Sequence, residues 1–289
     1  MTLYDELMQA QYLENAFEDW KEYREAITNY FLTHIPCGAT VAIFGAGMCN
    51  DIDIERLLEK VSEITLIVRD RSLLHRVFEH YPNADRKRIH FLEADFVGIT
   101  EKEYRLFSER LVRMIQAKKE KTDISEVAEY VGLQMKALYE EALKQPVFSK
   151  EEKFDYGIAF GLHSQLNNMF PWMWEIVLHT LNVKEESVFQ LAASYNNRIV
   201  ERFHDEVFGI LKKGMIIGFE KQRIGLKDAI EGSVQAGMDI QKRADKNQIK
   251  ILDEAYVYWP FDREKEIVFD VEILTFSLFH KMNTGIHNF

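Results

Sequence analysis

Two glycines and two acids stand where they could bind a nucleoside. Gly45 and Gly47 follow the apolar run VAIF and precede a polar, helical stretch. Glycine permits left-handed backbone angles and the close approach of another group, so this turn predicts a backbone that contacts a ligand. Asp70 and Asp95 end the next two apolar runs. A carboxylate at such a position can accept hydrogen bonds from ribose hydroxyls or from an exocyclic adenine amine.

Three strand predictions place these four residues at one edge of a sheet. The runs TVAIF (40–44), EITLIVRD (63–70) and RIHFLEADF (88–96) are β-branched and apolar, as in strands that are covered on both faces. Helical stretches separate them, and Ser72 is the predicted N-cap of the second helix. The alternation predicts a βαβαβ arrangement, and the carboxyl ends of its parallel strands meet at the same edge.

The rest of the chain extends this sheet into a doubly wound α/β fold that is mostly parallel. A fourth strand and its exit loop are predicted at 153–166, and a fifth strand follows Gly214. The run from about 254 to 278 predicts a C-terminal antiparallel hairpin. The remaining predictions are helices at 171–181, 195–212 and 224–247, and a short strand and loop at 187–196.

Two helical additions flank the predicted sheet within a single domain spanning 1–289. Residues 1–36 form an N-terminal helical segment, with one helix predicted over 3–34. Residues 100–147 hold a helical insertion of two helices with a break near 121–123, and Thr100 with Glu103 predicts a capping box. The insertion is either a lid over the ligand side of the sheet or a solvated decoration.

Composition excludes several classes of protein. Lys and Arg number 36 against 47 Asp and Glu, and the net charge of −11 argues against a nucleic-acid partner. Two cysteines cannot build a disulfide framework, and no ligand spacing predicts a metal site. The N-terminal stretch is acidic, so we expect no signal peptide, and no apolar stretch is long enough to cross a membrane. We therefore expect a cytoplasmic protein.

The order of these segments resembles that of the class I S-adenosylmethionine-dependent methyltransferases. VAIFGAG, ITLIVRD, HFLEADF, FDYGIAFGLHSQL, KKGMIIGFE and the closing hairpin carry the resemblance, which covers about residues 38–100 and 150–275. It implies a seven-stranded Rossmann-like sheet that binds S-adenosyl-L-methionine. The cofactor-binding residues that it implies are Gly45, Ala46, Gly47, Asn50, Asp70, Arg71, Asp95, Phe96, Leu162 and His163.

The sequence departs from the family pattern at three positions. Ile43 stands where the family often has an acid, Cys49 where it has a third glycine, and Arg69 where the ribose-binding acid is expected. Asn50 and Asp51 follow, and their side chains either contact the amino group of the cofactor or cap the next helix.

Methyl transfer needs alignment of the acceptor and, for some acceptors, a base. His163 lies at the exit of the fourth strand, where the resemblance places the reacting methyl group, and is the candidate catalytic base. The candidate substrate-binding residues are Gln165, Asn168, Trp172 and Tyr195, although Trp172 also suits the core. The Asn-Pro-Pro-aromatic loop of amino-group methylases that act on nucleic acid is absent, which favours a small-molecule acceptor.

Two other functions stay open from the sequence. One is an NAD-type oxidoreductase on a similar sheet, which needs the third glycine of the G-x-G-x-x-G fingerprint. The other is a binding protein that keeps the fold without the chemistry. The sequence also leaves open whether the chain forms a homodimer.

Overall fold

The computed structural model describes residues 3–8, 13–69, 74–118, 123–149, 153–225 and 230–279. The helices in these ranges are α1 (Leu3–Met8), α2 (Ala16–Asp19), α3 (Lys21–His34), α4 (Ile54–Lys60), α5 (Leu74–His80), α6 (Glu101–Lys118), α7 (Ile124–Ala142), α8 (Met169–Leu181), α9 (Ser187–Ile210) and α10 (Ser233–Asp245). The strands are β1 (Thr40–Phe44), β2 (Glu63–Val68), β3 (Ile89–Glu93), β4 (Phe154–Ala159), β5 (Leu211–Arg223), β6 (Ile249–Asp262) and β7 (Ile267–Leu278).

The seven strands form one sheet in the order β3-β2-β1-β4-β5-β7-β6. Strands β1 to β5 are parallel, and β7 runs antiparallel to both of its neighbours, β5 and β6. The predicted fold class, a mostly parallel sheet with a C-terminal antiparallel hairpin, is confirmed. The order reverses between β1 and β4, and such a switch point is where open α/β sheets bind their ligands.

Each face of the sheet carries its own hydrophobic core. Successive side chains of a strand point to opposite faces, so Val41 and Ile43 of β1 pack with α3 and α4, whereas Ala42 and Phe44 pack with α7, α8 and α9. All four side chains are at most 1% exposed. Because both faces of β1 are buried, its sequence is a continuous apolar run.

The helical insertion is confirmed as two helices, α6 and α7. The Thr100 amide donates to Glu103 Oε2 at 2.7 Å and the Glu103 amide donates back to Thr100 Oγ1 at 3.3 Å, which confirms the capping box. Ser72, the predicted N-cap of the second helix, lies outside the described residues.

Two predictions of local structure are wrong. The stretch 187–196, predicted as a strand and loop, forms the first half of the 24-residue helix α9. The single helix predicted over 3–34 is instead α1, α2 and α3 within the described part of that range. Trp20 separates α2 from α3, and its indole Nε1 donates to the carbonyl of Phe261 on β6 at 3.0 Å. A tertiary contact thus accompanies the break in the helical pattern.

Candidate functional site

The turn after β1 lies at the switch point and needs its two glycines. Gly45 and Gly47 adopt φ of +72° and +50°, which are left-handed angles. A Cβ on Gly45 would lie 2.8 Å from Cδ1 of Leu162, which comes from the β4 exit. Cys49 is also left-handed, with φ of 55°, at the position where the family has its third glycine. Ala46, between the glycines, is buried. Three of the five residues from Gly45 to Cys49 are thus left-handed, and the turn is compact enough that a Cβ on Gly45 would meet Leu162.

The loop from Cys49 to Asp53 is held by side chains from other elements. Arg24 of α3 donates to the carbonyl of Asn50 at 2.8 Å. The Tyr81 hydroxyl lies 2.9 Å and 2.7 Å from the carbonyl oxygens of Cys49 and Ile52. Asp53 caps α4 by accepting from the Arg56 amide at 3.1 Å. Asn50 and Asp51 therefore do not cap this helix, which leaves their side chains for another role.

Two carboxyl groups lie close enough at the switch point to influence each other. Burial raises the pKa of Asp51 to about 6, Arg24 opposes this shift, and the charge of Glu220 adds to it. Burial also raises the pKa of Glu220, which lies on β5 and is 2% exposed. Glu220 Oε2 accepts from Ser233 Oγ at 2.8 Å. Its Oε1 and the Oδ1 of Asn50 are buried and have no hydrogen-bond partner among the described residues.

Asp95, the acid that follows β3, already has hydrogen-bond and ion-pair partners within the protein. Asp95 Oδ1 accepts from the amides of Val97 and Gly98 at 2.8 Å and 2.9 Å, and its Oδ2 lies 2.7 Å from Nη2 of Arg69. Burial raises the pKa of Asp95 despite the opposing charge of Arg69. The Arg69 guanidinium also lies over the ring of Tyr104, 4.6 Å from its centroid. Arg69 thus occupies the end of β2 and neutralises the acid of β3.

Phe96, the residue after this acid, belongs to the hydrophobic core. Its ring packs against Phe44, Phe148 and Phe203, with centroids 5.2 to 6.4 Å apart. Asp70 and Arg71, both predicted to bind the cofactor, lie outside the described residues. Among the described residues at the predicted nucleoside end, Arg69 and Asp95 are therefore the polar groups, and Phe96 is a core residue beside them.

His163 belongs to a buried chain of polar groups. Its Nε2 lies 3.2 Å from Nε2 of His204, whose Nδ1 lies 2.7 Å from Oδ2 of Asp239. Arg243 Nε donates to the same Asp239 oxygen at 2.5 Å. Burial opposes the charge of Asp239, but hydrogen bonds from His204 and Arg243 prevail and lower its pKa. Burial lowers the pKa of both histidines. The chain therefore joins two neutral imidazoles to an ionised carboxylate.

These charge states determine which nitrogen carries each proton. His204 donates from Nδ1 to Asp239, so its Nε2 is an acceptor. His163 must then donate from Nε2, which leaves its Nδ1 as an unprotonated acceptor. That Nδ1 is buried and has no partner among the described residues. His163 is thus set up as a hydrogen-bond acceptor.

A cleft of about 210 Å³ adjoins the β4 exit. Asn168, a predicted substrate residue, lines it together with His163. The remaining lining residues are Ser164, Leu166, Asn167, Pro171, Phe189, Ala192, Ala193, Asn196, Ile199, Val200, Glu231 and Gly232. Asn167 donates to Asn196 Oδ1 at 2.8 Å, and Asn196 donates to Glu231 at 3.2 Å. The cleft therefore has one polar, internally hydrogen-bonded wall.

The other three predicted substrate residues do not line this cleft. Gln165 lies in the turn after β4, and Trp172 packs partly against the core. Tyr195 is 5% exposed, stacks on Tyr139 at 4.5 Å and donates to Glu140 at 2.8 Å. Its position inside α9, rather than in the predicted loop, accounts for its burial.

Sequence reasoning missed Glu220, His204 and Asp239. Glu220 has a weak local signal, because it is an acid directly after the apolar run MIIGF. His204 and Asp239 have none, since each lies inside an ordinary amphipathic helix. Across the described ranges, no group of three or more His, Cys, Asp or Glu side chains is arranged to hold a metal ion. Nor is any described helix both long and apolar enough to span a membrane.

Comparison with known proteins gives no match in sequence. No family model matches the chain, and no curated protein matches it. Among solved structures, a putative RNA methyltransferase from Pyrococcus horikoshii is 11% identical with a TM-score of 0.45, covering 90% of this chain and 85% of its own. Magnesium protoporphyrin IX methyltransferase from Synechocystis PCC 6803 with bound SAH is 8% identical with a TM-score of 0.45, covering 90% and 84%. Similarity at this level leaves the activity of this chain to be argued from its own residues.

Proposed function

We propose that this protein is an S-adenosylmethionine-dependent methyltransferase that acts on a small molecule. The proposal is carried by the left-handed Gly45–Gly47 turn at the switch point between β1 and β4, in a sheet with a reversed seventh strand. The dinucleotide-binding order 3-2-1-4-5-6 lacks that reversed strand, which disfavours the NAD alternative. Because fold alone does not define activity, the side chains at the turn must also suit the cofactor.

The residues beside the glycine turn fit the amino-acid end of the cofactor. The carboxyl group of Asp51 and the unpartnered Oδ1 of Asn50 are acceptors next to the turn, and they suit a protonated amino group. Gly45, Ala46 and Gly47 present the backbone. When bound, the cofactor supplies an electrophilic methyl group.

The Arg69–Asp95 ion pair lies at the nucleoside end of the proposed site. An adenine amine that binds there must share the Asp95 carboxylate with Arg69. Asp95 already accepts from the amides of Val97 and Gly98 and pairs with Arg69, and the Ile99 amide also favours its ionised form. An adenine amine would therefore bind Asp95 in competition with these donors. As part of this proposal, Asp70 keeps its predicted role at the ribose and Arg71 its predicted role in cofactor binding.

We place the acceptor beside the β4 exit. The polar cleft there offers Asn168 and Glu231 for recognition, and its size favours a small molecule. His163 is the candidate proton acceptor, through the unprotonated Nδ1 that the His204–Asp239 chain leaves available. A low imidazole pKa makes it a weak base, so it suits an acceptor whose proton leaves as the methyl group arrives.

Calorimetric titration with S-adenosylhomocysteine tests the proposal. We expect saturable binding in the micromolar range and none with NAD. The matched variants are Gly47→Ala, at the turn, and Gly209→Ala, where an added Cβ meets no atom within 4 Å. Gly47→Ala should weaken binding, and Gly209→Ala should not. Absence of heat with millimolar S-adenosylhomocysteine refutes the proposal, and binding of NAD instead would establish the oxidoreductase alternative.

A further inference from the structure

Glu220 is a buried carboxyl group, and one of its two oxygens has no hydrogen-bond partner among the described residues. It lies on β5, where Ile217 is level with Ala159 at the end of β4, so Glu220 is three residues, or about 10 Å, beyond that end. Its Oε2 is bound by Ser233, whereas Oε1 is buried without a partner among the described residues. Leaving a buried acceptor unsatisfied is costly, so the missing donor needs an explanation, and a bound ligand can supply one.

The surroundings of Glu220 keep water away from it. A Cβ on Gly161, at the β4 exit, would lie 3.4 Å from Oε1 of Glu220 and 3.2 Å from Cη2 of Trp259. Trp259 stacks on Tyr23 at 5.5 Å and meets Trp20 edge-on at 4.8 Å. In such a weakly polar environment, a charge pair is stronger than in water.

The charged groups around Glu220 Oε1 favour a positively charged ligand. Asp51 adds a second negative charge close by, and the two carboxyl groups each disfavour the ionisation of Tyr23. The groups that stabilise the charged form of Glu220 are its own backbone amide and the neutral hydroxyls of Ser233 and Ser164. In the part of the chain that the structure describes, no Lys, Arg or His side chain forms an ion pair with Glu220. Burial opposes the ionised form of Glu220, and a ligand with a protonated nitrogen would supply the missing hydrogen bond and stabilise that form.

We propose that Glu220 binds a protonated amine of the acceptor, with Trp259 closing that subsite. The inference rests on the proposed function, and it specifies the substrate class as an amine. Strand order favours the acceptor over the cofactor as the amine donor: Glu220 lies on β5, on the far side of β4 from β1, β2 and β3. Asp51, in the loop after β1, lies on the cofactor side instead.

Two probes of the same shape test this subsite without any need for turnover. Phenethylamine is protonated at neutral pH, and 2-phenylethanol is its neutral counterpart. We expect calorimetry to show tighter binding of the amine to the wild-type protein, both with and without S-adenosylhomocysteine. Equal binding of the two probes, or binding of neither, overturns the inference, and this comparison needs no variant.

Variants then locate the effect. Glu220→Gln keeps the shape and removes the charge, so amine binding should fall by about tenfold or more. The control is Glu109→Gln on α6, where the glutamate is 58% exposed and pairs with Arg113, and amine binding should not change. Amine binding that survives Glu220→Gln places the subsite elsewhere and refutes the inference.

The two proposals fail in distinguishable ways. If S-adenosylhomocysteine does not bind while the amine still depends on Glu220, the methyltransferase proposal fails and the amine site stands. If S-adenosylhomocysteine binds and Glu220→Gln weakens it as strongly as it weakens the amine, Glu220 faces the cofactor and the inference is refuted.

Discussion

Replacing Asp51 by asparagine should stabilise the protein, because the carboxylate is retained at a cost. The pKa of Asp51 is about 6 in the folded state against an ordinary 3.8. The difference is about two units, and each unit corresponds to about 1.4 kcal/mol, so the maximum gain is roughly 3 kcal/mol. Asp51 is only half-buried, and solvent screening reduces the expected gain to about 1–2 kcal/mol.

The sign of this effect sets its pH dependence. Since the folded-state pKa is raised, the folded protein binds the proton more tightly, and Asp51 reduces stability as pH rises from about 4 to 6. Above pH 6 the penalty is complete. The advantage of Asp51→Asn over the wild type should therefore grow between pH 4 and 6 and stay constant above that.

Urea denaturation followed by tryptophan fluorescence between pH 4.5 and 8 measures the difference. The control is Asp53→Ala, two residues away, which removes the N-cap of α4 and should cost about 1 kcal/mol at every pH in this range. A variant Asp51→Asn that is less stable than the wild type at pH 7, or whose advantage does not change with pH, would refute the conclusion that burial destabilises the ionised form of Asp51.

Two further comparisons test the geometry of the site. Asp239→Asn should destabilise the protein by about 2–4 kcal/mol, because it removes a buried partner of Arg243. Asp205→Asn removes an exposed partner of the same guanidinium and should cost less than about 1 kcal/mol in the same denaturation assay. Gly45→Ala and Gly47→Ala should each cost about 1–2 kcal/mol for the left-handed angle, and Gly45→Ala should cost more because its Cβ meets a side chain at 2.8 Å. Equal losses within the first pair would contradict the burial of Asp239 beside Arg243, and equal losses within the second would contradict the close approach of Leu162 to Gly45.

The sequence determined those features that repeat along one element. Five consecutive residues with apolar or β-branched side chains predicted β1, and the Thr100–Glu103 spacing predicted the start of α6. These patterns are local, because a strand covered on both faces and a capped helix each impose residue types at fixed short intervals. The same reasoning failed at 187–196, where Val188, Ala192 and Tyr195 form the buried face of α9. The buried residues there have three- and four-residue spacing, which is typical of a helix, although the short apolar run also suits a strand.

The tertiary structure alone decided how the site is built. Glu220 and Asp51 are 169 positions apart in the sequence, and only the order of β1, β4 and β5 in the sheet brings their charges together. The same holds for His163 and Asp239, which His204 connects across three elements. Periodicity reports which face of an element is buried, but not which distant residue covers that face. The sequence could therefore locate the glycine turn and His163, whereas the partners that set their charge and protonation exist only in the folded sheet.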